Sequence, residues 1–600
     1  MTTVADAIVQ RLDDWGVERI FGYAGDGIDP LLAAVARSGG AVELVTARHE
    51  EMAAFMATGH AKYSGRVGVC LTTQGPGAIH LLNGLYDAKL DRTPVVAIVG
   101  QVASTALGTG YLQEVDLPVL LKDVCAQYLQ TVTTPEQLPA VLDNALRTAI
   151  ATSSPTCVIV PHDVQQATAA EPEQAHGVVV TSPAVSRGVT VPPDDDLDRA
   201  ARLLAAGERV VVLAGRGAGG ATRQVLDVVE RLGAGLVTSL LGKSLFDEGL
   251  PVHGGVLGHL GTTASADLLG RCDTLLIVGS NDPWTEFYPP LGQARTVQVD
   301  VAARNLGAKY PVEAPLAGDA AATLDALLTR LPQRSGPWRG EVTAAVDAWR
   351  RIAAERVAAP AEPLNPQLVL HELSAQLPAD AQVAVDVGSV TYWYARHLRL
   401  PPGVPAHLSS TLASMGSAMP YGIAAKLLHP DRPVVALAGD GATLMNGINE
   451  LVTVADRWRD WADPRFVLLV LDNGDLAEVT WEQREMEGDP RFDVSQDVPA
   501  FPYAGYAQLL GLASVRVSRP QDVADAWRTA LSADRPCVVQ AVVDRDTPLL
   551  PPRAPAAQVA RMRRGLAQEP VPDNALGQLD AQRAGELADD PTGLSAEHEA

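Results

Sequence analysis

Asp440 lies between two glycines in VVALAGDGATLMNGINEL, and the following apolar run, FVLLVLDNGDLAEV, closes on Asp472-Asn473-Gly474. An apolar run that ends on a Gly-Asp-Gly turn predicts a buried strand. A helix then opens with its first N–H groups free to face an anion. The second strand brings the Asp472 and Asn473 side-chain oxygens to the same end of a sheet. Mg²⁺ takes octahedral oxygen ligands, commonly one or two protein groups plus phosphate oxygens. The arrangement therefore suits Mg²⁺ holding a diphosphate. Gly-Asp-Gly alone is a common turn. Followed across one helix and one strand by Asn, it is far more specific.

The first third of the chain carries a second set of candidates: Glu50 in Arg48-His49-Glu50, the turn Gly75-Pro76-Gly77, and His80. Each has a bland reading. A glutamate at a helix start is favoured by the helix dipole without any function. Gly-Pro-Gly after a strand is a tight turn that also permits close backbone approach to a ligand. A lone histidine is most often a satisfied core residue, and Met415 in LASMGSAMP reads as core methionine on spacing alone.

Taken together, the two halves reverse those readings. Gly-Asp-Gly…Asn resembles the thiamine-diphosphate (ThDP) signature. TARHEEMAAFMATGHAKYSGRVGVCLTTQGPGAIHLLNGLYDAKLDRTPVVAIVGQ is similar to the pyrimidine-binding domain of the pyruvate oxidase and acetolactate synthase family. The resemblance covers nearly all of residues 1–550, with the motifs in the family's order. It implies that Glu50 is the catalytic glutamate, hydrogen-bonded to N1′ of the aminopyrimidine and favouring the imino form that takes the C2 proton. The cofactor is the electron sink. It further implies cofactor contacts at Gly25, Gly75, Pro76, Gly77, Asn83, Gly388, Ser389, Thr391, Met415, Gly439, Gly441, Ala442 and Thr443. The implied Mg²⁺ ligands are Asp440, Asn473 and the backbone carbonyl of Asp475. The two ThDP domains of one site come from different subunits in this family, which implies a homodimer or homotetramer.

Several positions depart from the family pattern. DRWRDWADP lengthens the connection before the Asn473 strand, and Asp472 replaces the first Asn of the usual pair, as a competing ligand. Leu112 stands at the Phe of Phe-Gln-Glu, whereas Gln113 and Glu114 are retained. Glu478 replaces an apolar pocket residue, which leaves the substrate open. QGPGAIH with His80, Ala126 in place of a lysine, and Glu482 in place of a tryptophan (Trp481 is out of register) resemble the pyruvate oxidase and quinone-linked pyruvate dehydrogenase branch. His80, Gln113, Glu478 and Glu482 are the substrate-side candidates. LAGRGAGG, GVLGHLG, VGSNDPWTEFYP and VQVDVAARNLG are similar to the family's FAD-binding domain, with Asp300 and Asp319 near ribose or flavin positions. The expected reaction is oxidative decarboxylation of pyruvate or another small 2-oxo acid, with enamine electrons passing to FAD and then to an external acceptor. A non-redox lyase or transferase (a 2-oxo acid decarboxylase or an acetolactate-synthase-like carboligase) stays open, as does a non-catalytic cofactor-binding scaffold.

The elements that must position these residues are short strands, such as Val67–Leu71, Val95–Val99, Val210–Ala214, Val434–Ala438 and Phe466–Leu471, separated by helical stretches. Several strands lack polar alternation, as expected of strands covered on both faces, so the predicted class is α/β with doubly wound parallel sheets. Composition breaks near Ala169–Asp196 and Pro332–Pro363 delimit blocks at 1–170 (pyrimidine domain), 190–335 (central Rossmann-like domain) and 360–550 (diphosphate domain). Residues 551–600 read as a disordered acidic tail with a short basic helix around Arg561, Arg563 and Arg564. The chain has 600 residues and a formal charge of 47 − 71 = −24. That charge argues against general nucleic-acid binding. The five cysteines are scattered, with no CxxC pair, which fits a reducing cytoplasm rather than a disulfide or zinc framework. The amphipathic N-terminus lacks a signal-peptide core. No apolar run reaches the ~20 residues that span a bilayer, so membrane contact is not expected.

Overall fold

The computed structural model describes residues 2–171 and 173–589. Its framework is three parallel sheets of six strands each. The first comprises β1 (Arg19–Gly22), β2 (Glu43–Thr46), β3 (Gly68–Thr72), β4 (Val95–Gln101), β5 (Leu129–Thr131) and β6 (Pro155–Pro161), in the order β2-β1-β3-β4-β6-β5. The second comprises β7 (Val210–Ala214), β8 (Gly235–Thr238), β9 (His253–Val256), β10 (Thr274–Val278), β11 (Arg295–Asp300) and β12 (Ala314–Ala317), in the order β12-β11-β10-β7-β8-β9. The third comprises β13 (Gln382–Val385), β14 (Ala406–His407), β15 (Val434–Gly439), β16 (Phe466–Asp472), β17 (Ala513–Val517) and β18 (Cys537–Val542), in the order β14-β13-β15-β16-β18-β17. The first and third sheets thus repeat one topology, whereas the middle sheet follows the Rossmann order. All three have helices on both faces, as the doubly wound reading requires.

The strands are apolar on both faces for a packing reason. Val95–Gln101, Pro155–Pro161 and Val210–Ala214 are buried at every residue. The parallel crossovers lay helices over each side, so alternation has no surface to serve.

Open sheets of this kind place ligands outside the carboxyl ends of the strands, where the strand order reverses. In the first sheet that point lies between β1 and β3, which puts the Gly25 and Gly75 loops together. In the third it lies between β13 and β15, which puts the Gly388 and Asp440 loops together. Both motif sets of the sequence therefore fall at topologically equivalent positions.

The outer sheets are joined through helices Glu50–Ser64 and Ala418–Leu428, which share one core around Phe55, Met52, Tyr421 and Ala424. Close approach is possible because Gly59 has no side chain. A Cβ there would stand 3.0 Å from the Tyr421 ring. Buried polar ties cross the same junction. The Lys62 ammonium donates to Asp91 at 2.6 Å and to the Leu408 carbonyl at 2.8 Å, and the Tyr421 hydroxyl donates to Asp87.

The segment after Leu550 corrects the expectation of a disordered tail over residues 551–589. Helices Ala556–Leu566 and Asp573–Ala588 bury Val559, Met562, Leu566, Ala575 and Leu579 in the core of the third sheet. The basic cluster is used internally. Arg561 and Arg564 donate to the carbonyls of Glu485 and Glu487 at 2.7 and 2.6 Å, and Arg563 pairs with Asp580 at 2.8 Å. Residues 590–600 lie outside the described residues. All five cysteines are buried and free. Among the described residues, no helix is long and apolar enough to cross a membrane.

Candidate functional site

The helix that begins at Glu50 is entered from β2 through Arg48 and His49. The His49 ring caps it, with Nδ1 accepting the Glu51 N–H at 3.2 Å. Glu50 therefore starts a helix, as its bland reading holds, but its carboxylate does more than face solvent. Only 12% of the side chain is exposed, and Oε2 lies 2.9 Å from His80 Nδ1. The His49 and His80 rings stack with centroids 4.4 Å apart. His49, Glu50 and His80 form the one group of three metal-type ligands among the described residues. His49 Nδ1 is already an acceptor, which places its proton on Nε2 and disfavours a metal there. His80 is 42% exposed, so it is not the buried core histidine that a lone histidine usually is.

The Gly75 loop approaches this group closely. Gly75 has φ +61° and opens the short helix Pro76–His80. A Cβ at Gly77 would lie 2.3 Å from Thr72 Oγ1 and 3.3 Å from Glu50 Oε1, so only glycine fits. A Cβ at Gly75 would lie 2.9 Å from the Gln113 backbone carbonyl. Gln113 itself has φ +61°, and its side-chain oxygen accepts from Gln74 at 3.0 Å. The structure thus brings Gly75, Pro76, Gly77, His80 and Gln113 to Glu50's end of the first sheet. Gly25 packs onto Thr73, where a Cβ would lie 2.6 Å from that side chain. Glu114 serves its own loop. Its carboxylate collects the N–H groups of Gly108, Gly110 and Tyr111, which hold it below the usual range. Asn83 donates to Glu51 at 2.5 Å and to Ser414 at 2.7 Å, so its amide ties the two outer domains together.

At the third sheet, Asp440 is 2% exposed. Oδ1 accepts the Gly441 N–H at 2.7 Å, and Oδ2 accepts the N–H groups of Asn473 and Gly474 at 3.0 and 2.6 Å. Burial pushes its pKa up to about 7 despite those bonds. A cation beside it would hold it ionised. Asn473 Oδ1 accepts the Asp475 N–H at 2.9 Å. The loop is closed by Val498 N–H on the Gly474 carbonyl and Leu476 N–H on the Gln496 carbonyl, and no described hydrogen bond takes the Asp475 carbonyl. The Asp475 carboxylate is turned away, paired with Arg491 at 2.8 Å. Asp472 accepts from Gln540 at 2.7 Å, which engages the competing ligand.

The opposite wall is the loop after β13. Asp386 draws in the N–H groups of Val387, Gly416 and Ala418, at 2.9, 2.7 and 3.1 Å, so one buried carboxyl sets both this loop and the Met415 turn. Burial raises it to about 6. Asp386 is absent from the sequence-based candidates, although an Asp ending a strand is a visible signal. Gly388 has φ +132°, and both it and Gly439 have nothing within 4 Å of where a Cβ would stand. The hydroxyls of Thr391 and Thr443 are turned to backbone carbonyls, and Met415 reaches toward Gly441. The helix from Asp440 has only six residues, too short for a strong dipole. Ser389 and Asn473 line a common small cavity with Trp393, Ala477 and Asp544.

These residues fit a metal–diphosphate pair. The available donors, Asp440, Asn473 and the Asp475 carbonyl, are all oxygen, which suits Mg²⁺ rather than a softer ion. Nothing lies within 4 Å of where a Cβ would stand at Gly388 or Gly439, so the backbone of both loops is open to a phosphate.

Glu478 and Glu482 stand on the next helix, Ala477–Glu482, which runs into a π-helical turn, Gln483–Glu487. Burial, then the neighbouring Glu482, raises Glu478 to about 7. Trp481 is buried in the core under Arg484. At the reversal point of the middle sheet, Ser280 Oγ, Asn281 Oδ1 and Thr238 Oγ1 are buried without hydrogen-bond partners. They offer a nucleotide unclaimed polar atoms. Asp300 and Asp319 are not among them. Asp300 holds Ala302 N and Asn305, and Asp319 caps the helix Ala320–Leu328.

Family models match this chain three times: the N-terminal TPP binding domain of thiamine pyrophosphate enzymes over residues 2–119, the central domain over 197–327 and the C-terminal TPP binding domain over 386–541. A Bacillus subtilis protein whose name assigns it thiamine pyrophosphate is 32% identical, over 91% of this chain and 92% of its own. Pyruvate oxidase of Lactiplantibacillus plantarum is 29% identical, over 90% and 89%. The large subunit of acetolactate synthase isozyme 2 of Escherichia coli is 31% identical, over 92% and 98%.

Proposed function

The chain belongs to the thiamine pyrophosphate (thiamine diphosphate) enzyme family, and from that premise we propose that it is a Mg²⁺-dependent decarboxylase of pyruvate or another small 2-oxo acid that passes the electrons to FAD. One observation carries the reading. The Glu50 carboxylate, entering from β2, meets His80 and Gly77 of the loop at the first sheet's reversal point, and Asp440 with its oxygen donors lies at the equivalent point of the third, a sheet of identical strand order. Thiamine diphosphate, when bound, would supply the electron sink for loss of CO₂.

The protein's own groups do the rest. Asp440, Asn473 and the Asp475 carbonyl hold Mg²⁺. The Gly388–Thr391 and Gly439–Thr443 loops seat the diphosphate, and Met415 shapes the cofactor. Glu50 holds the proton at the pyrimidine N1′. With its proton on Nδ1, His80 would donate to the Glu50 carboxylate and orient it, while the lack of side chains at Gly75 and Gly77 lets Gln113 and Thr72 pack close to the same end of the sheet. His80, Gln113, Glu478 and Glu482 face the substrate.

Among the described residues, no hydrogen bond or ion pair joins the Glu50 group to the Asp440 group. Exposed apolar residues border both, Tyr23, Ile79, Tyr111 and Leu112 on one side, Met445 and Val479 on the other. These features support a homodimer that completes each site with a second copy.

The orphaned Ser280, Asn281 and Thr238 support FAD in the middle domain. The engagement of Asp300 and Asp319 in local turns favours a second reading, non-redox lyase or carboligase chemistry with a flavin-free middle domain.

The test is CO₂ release from a panel of 2-oxo acids after reconstitution with ThDP, Mg²⁺ and FAD, with and without a dye acceptor. The oxidative reading expects flavin absorption and acceptor-dependent turnover. Colourless protein after reconstitution would exclude it in favour of the second. Undiminished turnover by Glu50→Gln would overturn the mechanism itself.

A further inference from the structure

The π-helical turn after the substrate-side helix carries a carboxyl that the reading above leaves without a role. Glu485 is 4% exposed and lies 3.6 Å (Oε1) from His259 Nδ1 on the middle domain. The other ring nitrogen of His259 faces Glu286, Nε2 to Oε1 at 3.9 Å, and Glu286 is exposed at the outer surface. Trp284 and Phe287 wall the imidazole, with centroids at 4.9 and 5.4 Å. In the other direction, Glu482 and Glu478 sit one helical turn apart on the helix that runs into the π-turn, and burial, then the charges of Glu478, Glu485 and Glu482, raises the Tyr392 hydroxyl. A π-turn is a common device at functional sites because it re-aims side chains within a helix.

We propose that Glu478, Glu482, Glu485 and His259 form a proton relay from the substrate side of the third sheet, across the domain boundary, to solvent at Glu286. A neutral imidazole can take a proton on one nitrogen and release one from the other, so its position between two carboxylates is what a shuttle needs. At 3.6 and 3.9 Å neither contact is a direct hydrogen bond, and Gln558 already donates to Glu485 Oε1, so transfer would need a small ring rotation or an intervening water. The groups around the chain shift its members: burial raises Glu478 and Glu485 to about 7 and raises Glu482 as well. Glu485 is raised to about 7 by burial, with Glu482 adding to the rise and Gln558, Arg561 and Arg396 opposing it. His259 is lowered by burial and Arg396 and raised by Glu286. Arg484 does not neutralise the chain, being paired with Glu569. Proton carriers work best with acidity near the working pH.

The relay rests on the decarboxylase reading, which supplies its proton demand. A 2-oxo acid anion that loses CO₂ and leaves as the aldehyde takes up one proton. One that is oxidised with water to the carboxylate releases CO₂, two protons, and two electrons to the flavin and external acceptor. The same chain serves either direction.

Two measurements test it. In the ligand-free protein, the infrared carboxyl band should titrate near neutral pH. Glu482→Gln should lower the pH at which the remaining carboxyls ionise, because one repelling charge is gone. In the reconstituted enzyme, Glu485→Gln and His259→Ala should lower kcat about tenfold or more. The solvent deuterium effect should rise, ThDP affinity should not change, and imidazole should restore His259→Ala. Carboxyls that titrate independently, or unchanged kcat and isotope effect in both variants, would overturn the relay. If no 2-oxo acid is turned over, the decarboxylase reading fails, and the infrared titration alone still decides whether the groups are coupled as a chain.

Discussion

Removing the Glu569 carboxylate should undock the C-terminal helices without unfolding the sheets. Glu569 accepts from Arg484 through two bonds of 2.8 Å, Nε to Oε1 and Nη2 to Oε2, and also takes the Arg491 N–H at 3.0 Å. The Arg484 side chain is 2% exposed and lies over Trp481 at 4.6 Å. Glu569→Ala leaves a buried guanidinium unpaired, which costs about 3–5 kcal/mol. The expected cost falls on local opening of this segment rather than on the whole domain. At about 1.4 kcal/mol per tenfold, the opening equilibrium should rise a hundredfold or more. Hydrogen exchange read on 483–487 and 556–588 is the assay. The double variant Arg484→Met/Glu569→Leu should recover most of the protection, because an apolar pair carries no desolvation penalty. If Glu569→Ala leaves exchange within a few-fold of wild type, or the double variant is no better, the ion pair does not hold the segment.

Gly77→Ala should weaken ThDP binding at least tenfold, about 1.4 kcal/mol, because the new methyl displaces Thr72 and crowds Glu50; unchanged affinity by fluorescence titration would count against the assignment of this loop. Lys62→Met strands Asp91 and Asp87, at 2.6 and 3.6 Å from the ammonium. It should cost about 3–5 kcal/mol by calorimetry, and a small change would mean that the junction relaxes. Glu485 is raised from 4.5 to about 7 in the folded chain, so the fold binds its proton more tightly than the unfolded chain does. That stabilisation is complete below the ordinary carboxyl range and is lost as pH rises through about 7. Glu485→Gln should therefore stabilise the protein relative to wild type at pH ~8, by up to ~3 kcal/mol, and the gain should vanish toward acid pH. A gain independent of pH would refute it.

The strands were legible because a parallel sheet leaves them no polar face, and runs such as VVVLA and FVLLVL stand out against their helices. The Gly-Asp-Gly and Asp-Asn-Gly turns were legible because each ends such a run. Contacts between distant segments were not. His80 meets Glu50 across a helix and a strand, and Asn83 reaches Ser414 in another domain. Asp300 and Asp319 sit where nucleotide contacts were expected, yet local N–H groups take them first. The C-terminal helices escape a reading of the sequence for a definable reason. Val559, Met562 and Leu566 do recur at helical spacing, but the surrounding charges read as solvated. Their partners, Glu485, Glu487 and the residues around Arg484, lie in a turn far upstream.

The −24 charge is compatible with a bound diphosphate only if the chain has another source of positive potential. The buried basic side chains do not supply it. Arg484, Arg491, Arg356 and Lys62 are each occupied by a carboxylate. Arg216, buried beside the first domain, donates to the carbonyls of Asp91 and Arg92. At the third sheet the oxygens assigned to the metal are a carboxyl, an amide and a carbonyl, and burial, with Asp472 adding to it, raises the Asp440 carboxyl; Arg545, which lines the small cavity shared by Ser389 and Asn473, is drawn toward Asp497 at 3.8 Å. Such a site repels a bare phosphate and attracts a divalent cation. With Mg²⁺ held as proposed, cation and diphosphate would bind as mutually dependent partners: the metal would cancel the charge of Asp440 and the phosphate would complete its oxygen ligands. Specificity for a metal-bound diphosphate over a free anion would then follow from a donor set made of oxygens, Asp440, Asn473 and the Asp475 carbonyl.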